Sequence, residues 1–333
     1  MKKYADKRLC CDVSENKTDK KSTIESLEYY RHQTERIALS LSLNRSILAE
    51  RADHMMMCGS YIELQNDKVV GANFCRQRIC PMCQRRRSLD VAANTREIVN
   101  YLTEKDGRKF LHMVLTVPNV GLCNLDETIT RMYKASSKMF KDKKLCKKFK
   151  GVMRCLEVSY NKRVGYIDGD IDGGLSIIGN AFHPHLHCLV SVGKSYGSGK
   201  NYIRQDELLD LWRSYYGDSK ITQLHVSAVK DDGAVSEVAK YCVKPLDLDL
   251  TDYELSVVVE AIFGALHGRR LIQLFGDFRE AARTLKIEME AEHQLAADEG
   301  FQVERYYYNL NKGCYDLQSF SAVAAAKRLS KCQ

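Results

Sequence analysis

The sequence predicts an α+β protein with a small cysteine- and arginine-rich module ahead of its main body. Strand-like and helix-like runs follow one another in mixed order, and no internal repeat imposes a solenoid. Four cysteines between Cys58 and Cys83 mark the module. At 333 residues the chain exceeds the usual size of one core, so a domain of roughly 200 residues with appended pieces is expected.

Taken in order, residues 1–50 form a polar, charged arm with a helix expected from Ser26 to Arg51. Residues 51–99 hold the module, where alternating stretches around Tyr61-Ile62-Glu63-Leu64 and Val69-Val70 suggest short strands. The main body spans 100–287. Its first strand is Phe110 to Val117, by length and β-branched content, and Pro118-Asn119 ends it. Ile129, Met132, Tyr133, Met139 and Phe140 recur at helical spacing, so a helix is expected over Asp126 to Phe149, ending in a lysine cluster.

Strands are expected at Val152 to Tyr160 and at His185 to Val192, with the Asp- and Gly-rich stretch 168–174 as a loop between them. That stretch lacks the twelve-position spacing and terminal bidentate Glu of a calcium loop. A helix over Gln205 to Tyr216, a strand over Gln223 to Lys230 and a helix from Ala234 follow, the last terminated by Pro245. A further helix, Asp252 to His267, precedes Arg269-Arg270-Leu271-Ile272. Residues 288–333 form a C-terminal extension that opens on the acidic Glu288-Met289-Glu290-Ala291-Glu292.

The composition narrows the function. Lys and Arg total 51 against 43 Asp and Glu, a net charge of +8 that favours a polyanionic partner. No run of about 20 apolar residues is present, and the start leads into charged sequence, so a soluble, cytoplasmic protein without a membrane partner is expected. Thirteen cysteines is an odd number in a long chain, which points some of them towards metal rather than disulfides.

Three motifs carry chemistry. Cys75 and the tight pair Cys80-Pro81-Met82-Cys83, with Cys58 upstream, supply four thiolates for a closed tetrahedral Zn²⁺ site of structural type. Arg76, Arg78, Arg85, Arg86 and Arg87 surround this knuckle, and their guanidinium groups suit phosphate contacts; a solvated basic face is the plainer reading. In Phe182-His183-Pro184-His185-Leu186-His187, residues two apart share a strand face, so His185 and His187 point together and can hold one cation. His183 is a further candidate to join them, against which Pro184 is expected to disturb the strand there. Glu157, on the neighbouring expected strand, adds an oxygen ligand, and such a set suits Mn²⁺ or Mg²⁺ acting on phosphate. On the helix after Ala234, Glu237, Tyr241 and Lys244 fall at i, i+4 and i+7 on one polar face, which alone is equally an ordinary surface.

Together these segments resemble the HUH endonucleases, specifically the single-tyrosine rolling-circle replication initiators of small plasmids from Gram-positive bacteria. The resemblance covers about residues 58 to 276 and rests on Phe74-Cys75-Arg76, Cys80-Pro81-Met82-Cys83, the strand end Thr116-Val117-Pro118-Asn119, Leu156-Glu157-Val158, Pro184-His185-Leu186-His187, Lys240-Tyr241 with Lys244, and Arg269-Arg270-Leu271-Ile272. It implies a central antiparallel sheet flanked by helices. It also implies His185 and His187 as ligands of the catalytic divalent cation, Tyr241 as nucleophile and Glu237 as the residue that activates water. The partners implied are plasmid origin DNA, as a hairpin or single-stranded nick site, and a host helicase and DNA polymerase. No Gly-x4-Gly-Lys-Ser/Thr motif marks a fused helicase. A transposase or mobilisation relaxase with the same chemistry, and a non-enzymatic zinc-dependent DNA-binding regulator, are the alternatives; a homodimer is left open.

Overall fold

The computed structural model describes residues 23–43, 46–163, 166–169, 175–197, 201–229, 250–289, 295, 297 and 302–322. The chain is α+β, as the mixed order of elements predicts, and its sheets are antiparallel. Helices α1 (Thr23–Leu43) and α2 (Ala49–Met56) lead into β1 (Tyr61–Gln65) and β2 (Lys68–Ala72). Pro81, at the first helical position where a missing N–H costs nothing, then starts the 26-residue α3 (Pro81–Asp106), and Gly107 closes it in a left-handed cap.

The main sheet comprises β3 (Lys109–Thr116), β4 (Phe149–Tyr160), β7 (Phe182–Val192), β8 (Leu224–Ala228) and β9 (Ile272–Gly276), in the order β8-β3-β7-β4-β9. Between them run α4 (Leu122–Met139), α5 (Lys143–Lys148), the hairpin arms β5 (Tyr166–Gly169) and β6 (Leu175–Ile178), α6 (Gln205–Tyr216), α7 (Asp252–Leu266) and α8 (Asp277–Leu285). The single expected helix over 126–149 is therefore two, broken where Asp142 caps α5 by accepting from the Lys144 amide. The expected loop between the metal-site strands includes the β5–β6 pairing, while 170–174 lie outside the described residues.

Strand β7 runs through Pro184 without interruption. The reason is local: β3 ends opposite His185, and the next contact on that side is the Val120–Phe182 bridge. Pro184 faces only β4, opposite Val158, so its missing donor breaks no ladder on the β3 side.

Each face of the sheet is covered differently. Leu115, Leu156, Leu186, Cys188 and Val190 pack under α4, α6 and α7, in a core that includes Trp212, Met132 and Val258. The indole of Trp212 donates to the Thr116 carbonyl at 2.8 Å and so pins the end of β3. On the other face Phe110, Met153 and Leu189 pack with Ile98, Val99 and Leu102 of α3 and Phe278 of α8. These helices pack on the part of that face nearest Val192; beyond Leu189 the same face carries His187, His185 and Glu157, together with the buried Cys155 opposite His187.

A second sheet, β11-β10-β1-β2, is completed by β10 (Gln302–Asn309) and β11 (Cys314–Ala322), two strands from the expected C-terminal extension. Helix α1, from the expected arm, buries Leu27, Ile37, Ala38 and Leu41 in the larger core, continuous with Ile62 and Leu64 of β1. Among the described residues no helix is long and apolar enough to cross a membrane.

Candidate metal centres

Cys58, Cys75, Cys80 and Cys83 bring their sulfurs within 4.8 Å of one another, the one group of metal-ligating side chains that gathers so closely among the described residues. The Sγ atoms of Cys58 and Cys83, and of Cys75 and Cys83, are 3.6 Å apart, and those of Cys80 and Cys58 3.5 Å. Four thiolates at about 2.3 Å from a tetrahedral zinc stand about 3.8 Å apart, so the cluster fits the ion with little adjustment. Two backbone amides already point at sulfur, from Cys75 to Cys58 Sγ at 3.4 Å and from Arg76 to Cys83 Sγ at 3.2 Å. Arg76 donates from a left-handed conformation, φ +59°, which turns its amide inward.

The thiols do not share protons evenly. Hydrogen bonding with Cys58 holds Cys75 below the ordinary thiol range. Burial opposes ionisation of Cys80, yet its bonds to Cys58, Cys75 and Cys83 bring it far lower. The cluster can hold a metal such as zinc. Its surroundings tie distant elements to it. Thr34 of α1 lies 3.6 Å from Cys80 Sγ and accepts from the Met82 amide at 3.2 Å. Tyr315 of β11 donates to the Gly59 carbonyl at 2.5 Å.

The second group lies on the face of the main sheet that also packs against α3, beyond Leu189. Antiparallel register places Thr116, His185 and Glu157 in one row across β3, β7 and β4, and His225, Val114, His187 and Cys155 in the row two positions on, the next on that face. Directly opposed residues share a face, so the histidine pair and Glu157 face the same way, as the period-two reading requires. Glu157 Oε2 lies 2.8 Å from His187 Nε2, with both side chains buried. His185 is half-buried; its ring centroid is 5.9 Å from that of His187 and 3.9 Å from that of His183. His187 and Glu157 are thus in contact while His185 stands beside them, and the nitrogen and oxygen donors are of the kind that suits Mn²⁺ or Mg²⁺.

Two neighbours, His112 and His225, escaped the sequence reading; their rings stand 6.5 Å apart. His112 Nε2 lies 3.2 Å from His187 Nδ1, its ring stacked at 17°. Burial, then the neighbouring His187 and His225, push His112 down to about 4, so it is neutral at pH 7. Thr116 Oγ1 meets His183 Nε2 at 2.7 Å. The signal for His112 was present, since it stands two and four positions before Val114 and Thr116 and so shares their face.

The five arginines near the knuckle have internal partners. Arg78 donates to the Arg269 carbonyl at 2.8 Å and Arg87 to the Arg76 carbonyl at 2.7 Å. Arg85 donates to Ser26 at 3.2 Å, and Arg86 lies over the Phe74 ring and 4.0 Å from Asp90. Tyr241, Glu237 and Lys244 lie outside the described residues.

The fold and its side chains define an antiparallel-sheet protein with one four-cysteine cluster that can hold a metal and, on its main sheet, a His187–Glu157 pair with His185 beside it. The chain belongs to the replication protein family, whose model matches residues 66–311. This bears out the resemblance that the motifs suggested. Among curated relatives, a "Protein rep" of Staphylococcus aureus is 31% identical, over 62% of this chain and 87% of its own length. One from a Bacillus species is 30% identical, over 75% of this chain and 85% of its own. Another, from Streptococcus pneumoniae serotype 2, is 30% identical over 65% of this chain; the match spans 64% of that relative, less than two thirds of its length. No solved structure matches the chain significantly.

Proposed function

We propose that this protein initiates plasmid replication by nicking one strand at the replication origin, through an HUH endonuclease site formed by His185, His187, Glu157 and Tyr241. The observation that carries the reading is the 2.8 Å approach of Glu157 to His187 on the face that also presents His185, in a chain of the replication protein family. These three side chains would hold Mn²⁺ or Mg²⁺, which supplies neutralisation of charge on the scissile phosphate when bound.

Tyr241 attacks that phosphate in line. A new bond forms between its phenolic oxygen and phosphorus, and the bond from phosphorus to the 3′-oxygen breaks. The products are a 5′-phosphotyrosine and a free 3′-hydroxyl that primes a host polymerase, while a host helicase opens the duplex. A phenol ionises near pH 10, so it needs help with its proton at neutral pH. Lys244, on the same expected helical face, would favour the phenolate. Glu237, one turn from Tyr241, serves termination, as base for the water or hydroxyl that attacks the second scissile phosphate. The four cysteines hold structural Zn²⁺, and Arg76, Arg78 and their neighbours add charge that attracts the DNA backbone. The setting is the cytoplasm.

The test is incubation of purified protein with its plasmid and Mn²⁺. A relaxed circle covalently attached to protein is expected; DNA binding without any cleavage would leave a zinc-dependent regulator in its place.

A further inference from the structure

At the end of the main sheet remote from the histidines, the structure gathers lysines and tyrosines that the proposed nicking chemistry does not use. Residues 141–150 contain six lysines and one aspartate, Asp142, which is engaged by Tyr215 at 2.8 Å and by the Lys144 amide. Lys143, Lys144 and Lys147 are exposed on α5, and among the described residues none of the three forms an ion pair. Lys148 donates to the Tyr202 carbonyl at 2.9 Å, which joins α5 to the loop after β7.

In that loop the rings of Tyr196 and Tyr202 stand 5.9 Å apart, and Tyr202 is 50% exposed. Both rings line a pocket of about 630 Å³ whose other walls include Arg108, Lys109, Phe110 and Val226. Lys194 lies over Gly107, the neighbour of the lining residue Arg108, so tightly that a Cβ there would overlap its side chain. Flat aromatic faces in a pocket of single-nucleotide size that Arg108 and Lys109 also line, joined through Tyr202 to the lysine-rich α5, suit an unpaired base and its phosphates better than a stacked duplex.

We infer that this end of the sheet is a second DNA site, which holds single-stranded DNA by stacking a base on Tyr202 and drawing its phosphates to Lys143, Lys144 and Lys147. His187 and Val192 are five positions apart on β7, so the pocket lies on the order of 17 Å from the histidine face. That separation suits a grip on the strand outside the nick. The inference rests on the proposed function only in taking DNA as the polyanion.

The test measures binding of a fluorescein-labelled oligothymidylate of about 15 nucleotides, by anisotropy, from low to moderate salt. The variant K143Q/K144Q/K147Q should lower the slope of log affinity against log salt by up to about 2, because each single-strand phosphate contact contributes about 0.7. At 0.1 M salt this amounts to as much as roughly a 100-fold loss. Replacing the same lysines by arginine should keep the slope, which separates lost charge from lost fold. Tyr202→Ala should weaken binding by roughly 5- to 150-fold with the slope retained, as expected for one lost stacking contact. An unchanged slope in the glutamine variant, or a larger loss on duplex DNA of equal length than on the single strand, overturns the site. Wild-type protein that forms a covalent adduct while these variants bind normally would refute this site alone. Protein that shows the binding losses but never cleaves would refute the nicking reading alone.

Discussion

If His185, His187 and Glu157 hold a cation as proposed, removing His112 should weaken its binding without touching any of those three side chains. If His187 offers Nε2 to the metal on the Glu157 side, its Nδ1 must carry the proton and donate it. His112 Nε2, 3.2 Å away, is placed to accept it. His112 is suited to accept because burial and the two neighbouring imidazoles push it down to about 4, leaving it neutral at pH 7. Outer partners of this kind fix ring orientation and tautomer, and their loss costs roughly 10- to 100-fold in metal affinity, or about 1.4 to 2.7 kcal/mol. His112→Leu should show that loss, whereas His112→Asn, which keeps a polar group there, should recover part of it. The assay is titration with Mn²⁺ followed by the electron paramagnetic resonance signal of the free ion, with thermal unfolding as the control for the fold. A Leu variant that binds Mn²⁺ within twofold of wild type would show that His112 does not orient His187.

Two other perturbations test the frame around the sites. Gly276→Ala should destabilise the protein by about 3 kcal/mol, since φ +54°, ψ −133° is strained for any residue with a Cβ and the added atom would overlap the Lys150 carbonyl; urea unfolding checks it, and a loss under about 1 kcal/mol would contradict it. Purified protein should contain one zinc per chain, and a Cys80→Ser, Cys83→Ser double variant should lose it together with protease resistance over residues 58–88, because the same cluster anchors α1 and β11; elemental analysis decides, and stoichiometric zinc in the variant would refute the assignment.

Much of this was legible where the determinants are local. The Cys80-x2-Cys83 turn, the alternation that puts His185 and His187 on one face, and the helix over 205–216 each depend on spacing within one element. The four-cysteine cluster then follows once β1 and β2 carry Cys58 and Cys75 back to the start of α3. Strands β10 and β11 were not legible because what makes them strands is pairing with β1, some 240 positions earlier, as in the Tyr61–Tyr307 and Ile62–Tyr306 partners. The continuity of β7 through Pro184 was hidden for a related reason, since it depends on where a different strand, β3, happens to stop. His112 lay in plain view in a strand-like run, but only the register of β3 against β7 turns it from a core histidine into a neighbour of His187.

The most direct test of the account is the identity of the residue joined to DNA. After nicking of its plasmid in Mn²⁺, nuclease digestion and proteolysis should leave one nucleotide-bearing peptide, with the phosphodiester on Tyr241, and Tyr241→Phe should bind the same DNA and form no adduct. A nucleotide mapped to another tyrosine, such as one of Tyr306, Tyr307 and Tyr308, or a normal adduct yield from Tyr241→Phe, would contradict it.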